Sequence, residues 1–419
     1  MTVIAKNTSS ITSELDHTAL HLFDADKSLA IEVLKNSVLP TSRIEEWKYT
    51  RVAKLGRTSF INSEATLGDI SSYTVDPTKC TMVFVNGYYA AELSTRELPN
   101  GITCTPLSEC SKHQIPKSTV PIQGEVFNAV NTAYLNDGVL IDIAPNATIN
   151  ETIQIIHVLR GDSIISNFKI IVNAGEFSTS NIVTGFFTEG NGTNFCNYIC
   201  EVAVGENAFL AIDKIQSESP ESSHISTDQI QQKRNSTFTI NTITLNGALV
   251  RNNLNINVVG ENCTTNLNGT YLLKERQHVD NHTTVDHKVP NCASNELYKG
   301  VIDDKATAVF NGKVFVRQDA QKINAFQSNS NLLLSESAEV NSKPELEIYA
   351  DDVKCSHGST TGQLDDEALF YLRSRGLSEK KARELMVGAF IEDVLSQVEN
   401  KNVLLFVSRL IKERFGWEN

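Results

Sequence analysis

Between residue 125 and about residue 355 the chain repeats one pattern, in which short runs rich in Val, Ile, Thr and Phe are separated by Asn and Gly. "GVLIDIAP", "TIQIIHVLRG", "NFKIIVNAG", "NIVTGFFTEG" and "AVFNGKVFV" are representative. Runs of this length bounded by turn formers predict β-strands, and the lack of helical periods between them argues against an alternating β/α sheet. Three features favour a solenoid over a sandwich, which is the second choice. The strand-rich region exceeds ~200 residues, longer than a typical sandwich. Asn, which tolerates a left-handed backbone, flanks the runs and suits repeated tight corners. Finally, Val202–Ala208 (VAVGENA) and Ile256–Asn262 (INVVGEN) look like one corner used twice, 54 residues apart (256 minus 202). Two coils of ~20 to 30 residues would span that distance. The fold predicted is mainly β: a right-handed parallel β-helix flanked by N-terminal and C-terminal α-helical regions.

The flanks follow different rules. Residues 1 to about 60 predict helix, with Leu29, Ile31, Val33, Leu34 and Val38 following possible capping oxygens from Asp24 to Ser28, and Pro40 past the end. Trp47 and Tyr49 read as packing anchors. Asn86-Gly87 between two apolar runs predicts a tight hairpin, and residues 99–124 read as a connection. After Asp365, a predicted cap, helical periods return. Gly376 stops the first helix. Ser378 caps a second, with the stripe Ala382, Leu385, Met386, Ala389, Phe390, Val394 and Val398. "NVLLFVSRLIKERFGW" forms a third. The divisions are therefore 1–124, 125–362 and 363–419. The last is too small to bury a core alone and must lean on the β body, a partner or both.

Charge narrows the functional classes. With 37 Lys and Arg against 50 Asp and Glu, the net charge of −13 disfavours nucleic acid and anionic membranes as partners. The start "MTVIAKNTSSITSELDH" lacks a long apolar stretch and no run of eighteen apolar residues occurs, so a cytoplasmic protein without membrane spans is expected. The eight cysteines are scattered with no Cys-x-x-Cys, which points to reduced thiols and neither a disulfide framework nor a zinc ribbon.

Four groupings could carry chemistry. Cys355 and His357, two residues apart in an extended segment, share a face and suit a soft ligand, although buried cysteines often act only as small hydrophobes. In "QHVDNHTTVDH", His278, Asp280, His282 and Asp286 would share one strand face, with His287 on the other. That offers either a divalent metal site or a polar ladder on the outside of the solenoid. Cys196 and Cys200 share a face but have no further cysteine nearby. Arg373, Arg375, Lys380, Lys381 and Arg383, interleaved with Glu379 and Glu384, read as a solvated helical face or a dock for an acidic partner. No Gly-rich phosphate loop, Gly-x-Ser-x-Gly elbow or His-Glu-x-x-His occurs, so no nucleotide hydrolysis is expected from this chain alone.

The segments "SRIEEWKYT", "HVDNHTTVDH", "KCSHGSTTG" and "DDEALFYLRSRGLSEKKARELM" resemble the SufD family, accessory scaffold subunits of the Suf iron-sulfur cluster assembly machinery. The resemblance implies a non-catalytic β-helix subunit that pairs with a SufB-like paralogue and a SufC-like ATPase. It puts His357, with Cys355 beside it, near a nascent cluster at the subunit interface. It also puts ATPase docking on the C-terminal helices, where Leu369, Tyr371, Arg373, Arg375, Leu385 and Phe390 are candidates. No tightly bound cofactor is expected, only transient iron or a transient cluster. An exposed β-helix edge also invites a homodimer in isolation. The competing class, a carbohydrate-active β-helix enzyme, would need clustered carboxylates in a groove and usually secretion.

Overall fold

The computed structural model of the chain describes residue 11 and residues 20–76, 80–95 and 97–416. From Asp137 onward sixteen strands alternate between two sheets, so that each coil contributes one strand to each. Every neighbouring pair among them is parallel and in register, apart from one irregularity between Thr244 and Asn246. Paired residues lie between 26 positions apart, as Ser223 and Leu249, and 32 apart, as Thr307 and Glu339. This is a parallel β-solenoid. The two similar corners obey the predicted spacing, because Val202 pairs with Ile230 and Ile230 with Ile256.

One corner recurs at Asn146, Phe177, Asn207, Asn235, Asn262, Asn291 and Lys322, all with φ between 57° and 62°. Backbone bonds link neighbouring coils there, for example Phe177 N to Glu206 O and Asn207 N to Arg234 O, each 2.9 Å. Left-handed backbone costs an ordinary L residue about 1–2 kcal/mol and Asn less, which explains the abundance of Asn between strands. The amides also bond to one another: Asn235 Nδ2 donates to Asn207 Oδ1 at 2.9 Å, and Asn262 Nδ2 to Asn235 Oδ1 at 3.1 Å. Phe177 and Lys322 depart from Asn at this corner, and Phe177 is 58% exposed.

Two layers cover the outer faces. Trp47, Leu55, Phe60, Phe127 and Val130 pack on Ile165, Phe195 and Ile225 of the nine-stranded sheet. The C-terminal helices Asp366–Ser374, Glu379–Leu395 and Lys401–Phe415 flank the ten-stranded sheet, where Val387, Ile391, Phe406 and Val407 meet Ile215, Ile243, Leu272 and Val301. The thin bundle therefore leans on the β body. Asp365 Oδ1 accepts from Glu367 N and Ala368 N, Ser378 Oγ accepts from Lys381 N, and Gly376 has φ 96°.

Three local expectations are corrected. The N-terminal region is not helical throughout: Asp24–Asn36 is a helix, while short 3₁₀ turns and extended chain follow, because Trp47, Val52, Leu55 and Phe60 each bury against the solenoid. Residues 1–10 and 12–19 lie outside the described chain. Asp24 begins the first helix rather than capping it. In Glu379–Leu395 the buried face is Ala382, Val387, Ile391, Val394 and Leu395, and Leu385 is 53% exposed. Apolar residues surround that helix, so the sheet beneath it decides which of them are covered.

The two ends differ. At the N-terminal end, Thr81–Val85 adds a parallel strand beside Ile153–Arg160, the Asn86-Gly87 turn leads into an antiparallel partner, Tyr88–Tyr89, and Ile102–Pro106 runs antiparallel to Asp137–Ile143. The sheets thus extend into the segment before residue 125. At the C-terminal end, Glu339–Ile348 and Val353–Gln363 are the outermost strands of their sheets, each paired on one side only. Every residue from Ser356 to Gln363 is exposed.

The interior holds polar groups that satisfy one another across coils. Lys214 Nζ donates to Ser226 Oγ and Asp228 Oδ2, both at 2.8 Å, and Gln216, Asn252 and Asn281 form an amide chain with bonds of 3.0 Å. His157 is fully buried with Nε2 2.8 Å from Ser166 Oγ, and His287 likewise lies 3.0 Å from Ser294 Oγ. Burial, reinforced by His224, pushes His157 down to about 3, while burial pushes His287 down to about 4 against the pull of Asp286.

Replacing Phe177 with Asn should raise stability by roughly 1 kcal/mol, read as a higher urea midpoint at unchanged slope. The buried histidines predict a pH dependence. Free histidine titrates near 6.5, so below that pH the unfolded chain binds protons that folded His157 and His287 do not. Their contribution is complete above about pH 6.5 and falls as pH drops toward 4, by about 2 kcal/mol each at pH 5. Urea denaturation at pH 7.5 and pH 5 should show this loss, and His287→Gln should remove about half of it.

Candidate functional site

The strand Val353–Gln363 presents Cys355, His357, Ser359 and Thr361 toward the solenoid interior, continuing the positions of Ala325, Gln327, Asn329 and Asn331 one coil below. Those four are buried. Among the described residues nothing closes the end of the last coil, so His357 is exposed while Cys355 packs partly on the interior core. Burial raises the Cys355 thiol, partly offset by the backbone N–H of Ala325, so the thiol is protonated at neutral pH in this chain alone. Beneath His357 lie Gln327 and then Glu296, in register. Gln327 Nε2 donates to Glu296 Oε2 at 2.8 Å, and Thr283 Oγ1 donates to Glu296 Oε1 at 2.5 Å. Burial pushes Glu296 up to about 7, against these two hydrogen bonds. The imidazole and the thiol thus sit at the open end, with Glu296 buried two strands below His357 in the same column. Glu296 and Gln327 were not singled out in the sequence, although Glu in the alternating strand "ASNELYKGVI" was a signal that one carboxyl would face inward.

His278, Asp280 and His282 share the outer face of the strand His278–His287, as the alternation predicted, and His287 faces inward. Asp280 is fully buried. Its Oδ2 accepts from Arg251 Nη1 and Thr50 Oγ1, and His282 Nε2 lies 3.0 Å from Oδ1. Burial alone would raise this carboxyl, but Arg251 first, then His282 and Thr50, hold it well below the ordinary range. Burial lowers His278, whose Nε2 lies 2.8 Å from Thr50 Oγ1. Arg251 stacks on Trp47, Cζ 3.8 Å from the ring centroid, and its Nη1 also donates to Glu46 O at 2.7 Å. The guanidinium is the cation that Asp280 faces, and together they fasten "EEWKYT" to the sheet.

On the C-terminal helices, Leu369 is buried, and Phe390 is half-buried with Lys299 Nζ 4.8 Å from its ring centroid. Tyr371 and Leu385 are exposed, and Arg375 lies over the Tyr371 ring at 5.1 Å. Arg373 reaches Glu379 at 3.5 Å. Phe370 and Leu405, 74% and 70% exposed, present more apolar surface on the same helices; Phe370 was not singled out in the sequence, and Leu405 belongs to the apolar set of the third helix. Among the described residues no helix is long and apolar enough to cross a membrane.

Residues 157–390 match the family described as SUF system FeS cluster assembly, SufBD core domain, and residues 8–155 match the SufBD protein N-terminal region. The chain belongs to the SufBD family. Its SufBD relatives include an iron-sulfur cluster assembly SufBD family protein of Synechocystis, 34% identical over 389 residues that cover 88% of this chain and 86% of the relative. The iron-sulfur cluster assembly protein SufD of Escherichia coli is 28% identical over 409 residues, covering 94% and 95%. Within the SufBD family the chain is thus SufD-like. The SufBD core match takes in the open end and runs on through Phe390.

The clamp generates a prediction. Arg251→Met should destabilise the protein by about 3–5 kcal/mol, because Asp280 is left buried without its cation. Urea denaturation should also show that Arg251→Met combined with Asp280→Leu recovers most of that loss.

Proposed function

We propose that this SufD-like chain is a non-catalytic scaffold subunit whose bare solenoid end docks against a SufB-like paralogue, forming a junction at which an iron-sulfur cluster is assembled. The observation that carries this reading is the asymmetry of the ends. One end finishes in short antiparallel strands, whereas the other leaves two long parallel strands with unpaired edges beside Cys355 and His357. A long unpaired edge templates pairing with another chain, and natural proteins cover it. A paralogue with the same coil would do so with its own terminal strands, and a second copy of this chain could occupy the edge when the paralogue is absent.

The chemistry suits iron and sulfide as cargo. A neutral imidazole is a borderline ligand for iron and a thiolate a soft one. His357 would supply the first and the paralogue's thiolate the second, with the Cys355 thiol beside them. A SufC-like ATPase would dock on the C-terminal helices, where Tyr371 and Leu385 are accessible. Its nucleotide-driven movement would be transmitted to the solenoid through the packing of Val387 and Ile391 on the sheet, opening and closing the junction as a two-state interface.

His357→Ala should leave the complex of all three subunits intact on gel filtration. The iron and sulfide retained after anaerobic purification should fall at least about tenfold, as loss of a metal-site residue usually causes. Undiminished cluster content in that variant rules out the role given to His357. In the same preparation Leu385→Asp should shed the ATPase while the paralogue stays bound.

A further inference from the structure

Inside the solenoid, far in sequence from the open end, a second group of ligating side chains converges. Cys196 and His224 are paired in register on the neighbouring strands Phe195–Val204 and Ser223–Gln232. Glu218 follows the strand Phe209–Ser217 of the opposite sheet, where the chain crosses back toward them. All three are buried, with Cys196 and His224 wholly inaccessible. Each offers one ligand atom, and these atoms lie within 4.8 Å of one another. Glu218 Oε2 is 3.0 Å from His224 Nδ1, while Glu218 Oε1 and His224 Nε2 have no hydrogen-bond partner. Phe186 stands edge-on to the imidazole at 4.9 Å and Tyr198 lies 6.2 Å away.

Two unpartnered polar atoms in one dry cluster are costly unless something else satisfies them. The nearby cation cannot, because Lys214 is engaged with Asp228 and Ser226. His157 is turned to Ser166. We propose that Cys196, Glu218 and His224 form a buried site for one borderline divalent metal ion, Fe(II) or Zn(II). A thiolate, a carboxylate and a neutral imidazole are the donors such ions take. Their charges sum to −2, so the loaded site is neutral, which a low-dielectric interior favours. Binding forms the sulfur–metal bond as the Cys196 thiol gives up its proton to solvent, and no electron moves. Three protein ligands leave a tetrahedral position open. Cys200, four residues on, is paired with Asp228 and stands outside the group.

The ion must enter while the chain folds. The full-length protein is therefore refolded anaerobically with Co(II), with Fe(II) and with Zn(II), and also expressed in iron- or zinc-supplemented medium. The expected result is about one equivalent of metal resistant to dialysis, and for cobalt a thiolate-to-metal charge-transfer band. Cys196→Ser should abolish the band and Cys200→Ser should keep it. Glu218→Gln, close in size and suited to a case where Cys196→Ser fails to fold, should weaken retention at least about tenfold. Wild-type protein that holds no stoichiometric metal by any route, a band that survives Cys196→Ser, or retention unchanged in Glu218→Gln each overturns the site. Because this readout uses neither partner subunits nor cluster maturation, it stands or falls separately from the role of His357.

Discussion

The backbone hydrogen bonds between coils are the constraint on which this molecule depends. A coil of a parallel solenoid cannot satisfy its own N–H and C=O groups; it borrows partners from the coils before and after it. Such an architecture is indefinitely extensible, and the protein must specify where it ends. At the N-terminal side the ladders are finished by a hairpin and an antiparallel strand. At the C-terminal side, among the described residues, they stop without a cover. The same physics that stacks the coils therefore leaves unpaired strand edges at that terminus, and it puts the inward-facing positions of the last coil, Cys355 and His357, beside them.

Stacking also explains the polar interior. In register, each inward position forms a column, so a side chain meets near-equivalents above and below at the strand spacing. Lys214 with Asp228, and the Gln216, Asn252 and Asn281 amides, are tolerated because neighbouring coils supply matching donors and acceptors. Where the matching is incomplete, as at Glu218 and His224, chemistry becomes possible. Where the column reaches the open end, Glu296 and Gln327 form a polar floor under His357.

The bare terminus and the exposed side of the C-terminal helices are two free surfaces of the described chain. The covers are attached differently. The helices adhere through apolar packing, with Phe406 and Ile391 among the contacts, and through polar links such as Lys299 with Asp393 and Asn400 with Thr152, whereas the N-terminal segment is held by the buried Trp47–Arg251–Asp280 knot as well as by apolar contacts. A buried ion pair is a directional fastener and fixes register more than it adds stability.

The sequence by itself determined the repeat, the helical tail and the corners. Strand alternation and Asn at left-handed turns are local consequences of backbone sterics, so Asn207 and Asn262 could be matched two coils apart from spacing alone. Capping by Asp365 and Ser378, the Asn86-Gly87 turn and the shared face of His278, Asp280 and His282 were legible for the same reason. Only the tertiary structure decided what each face meets. That the outer histidine strand is closed by Arg251 and Thr50, that Leu385 faces outward, and that Glu218 joins Cys196 and His224 are facts about chain segments brought together from afar. No local period encodes them, because the partner of each group lies one coil, one sheet or one domain away.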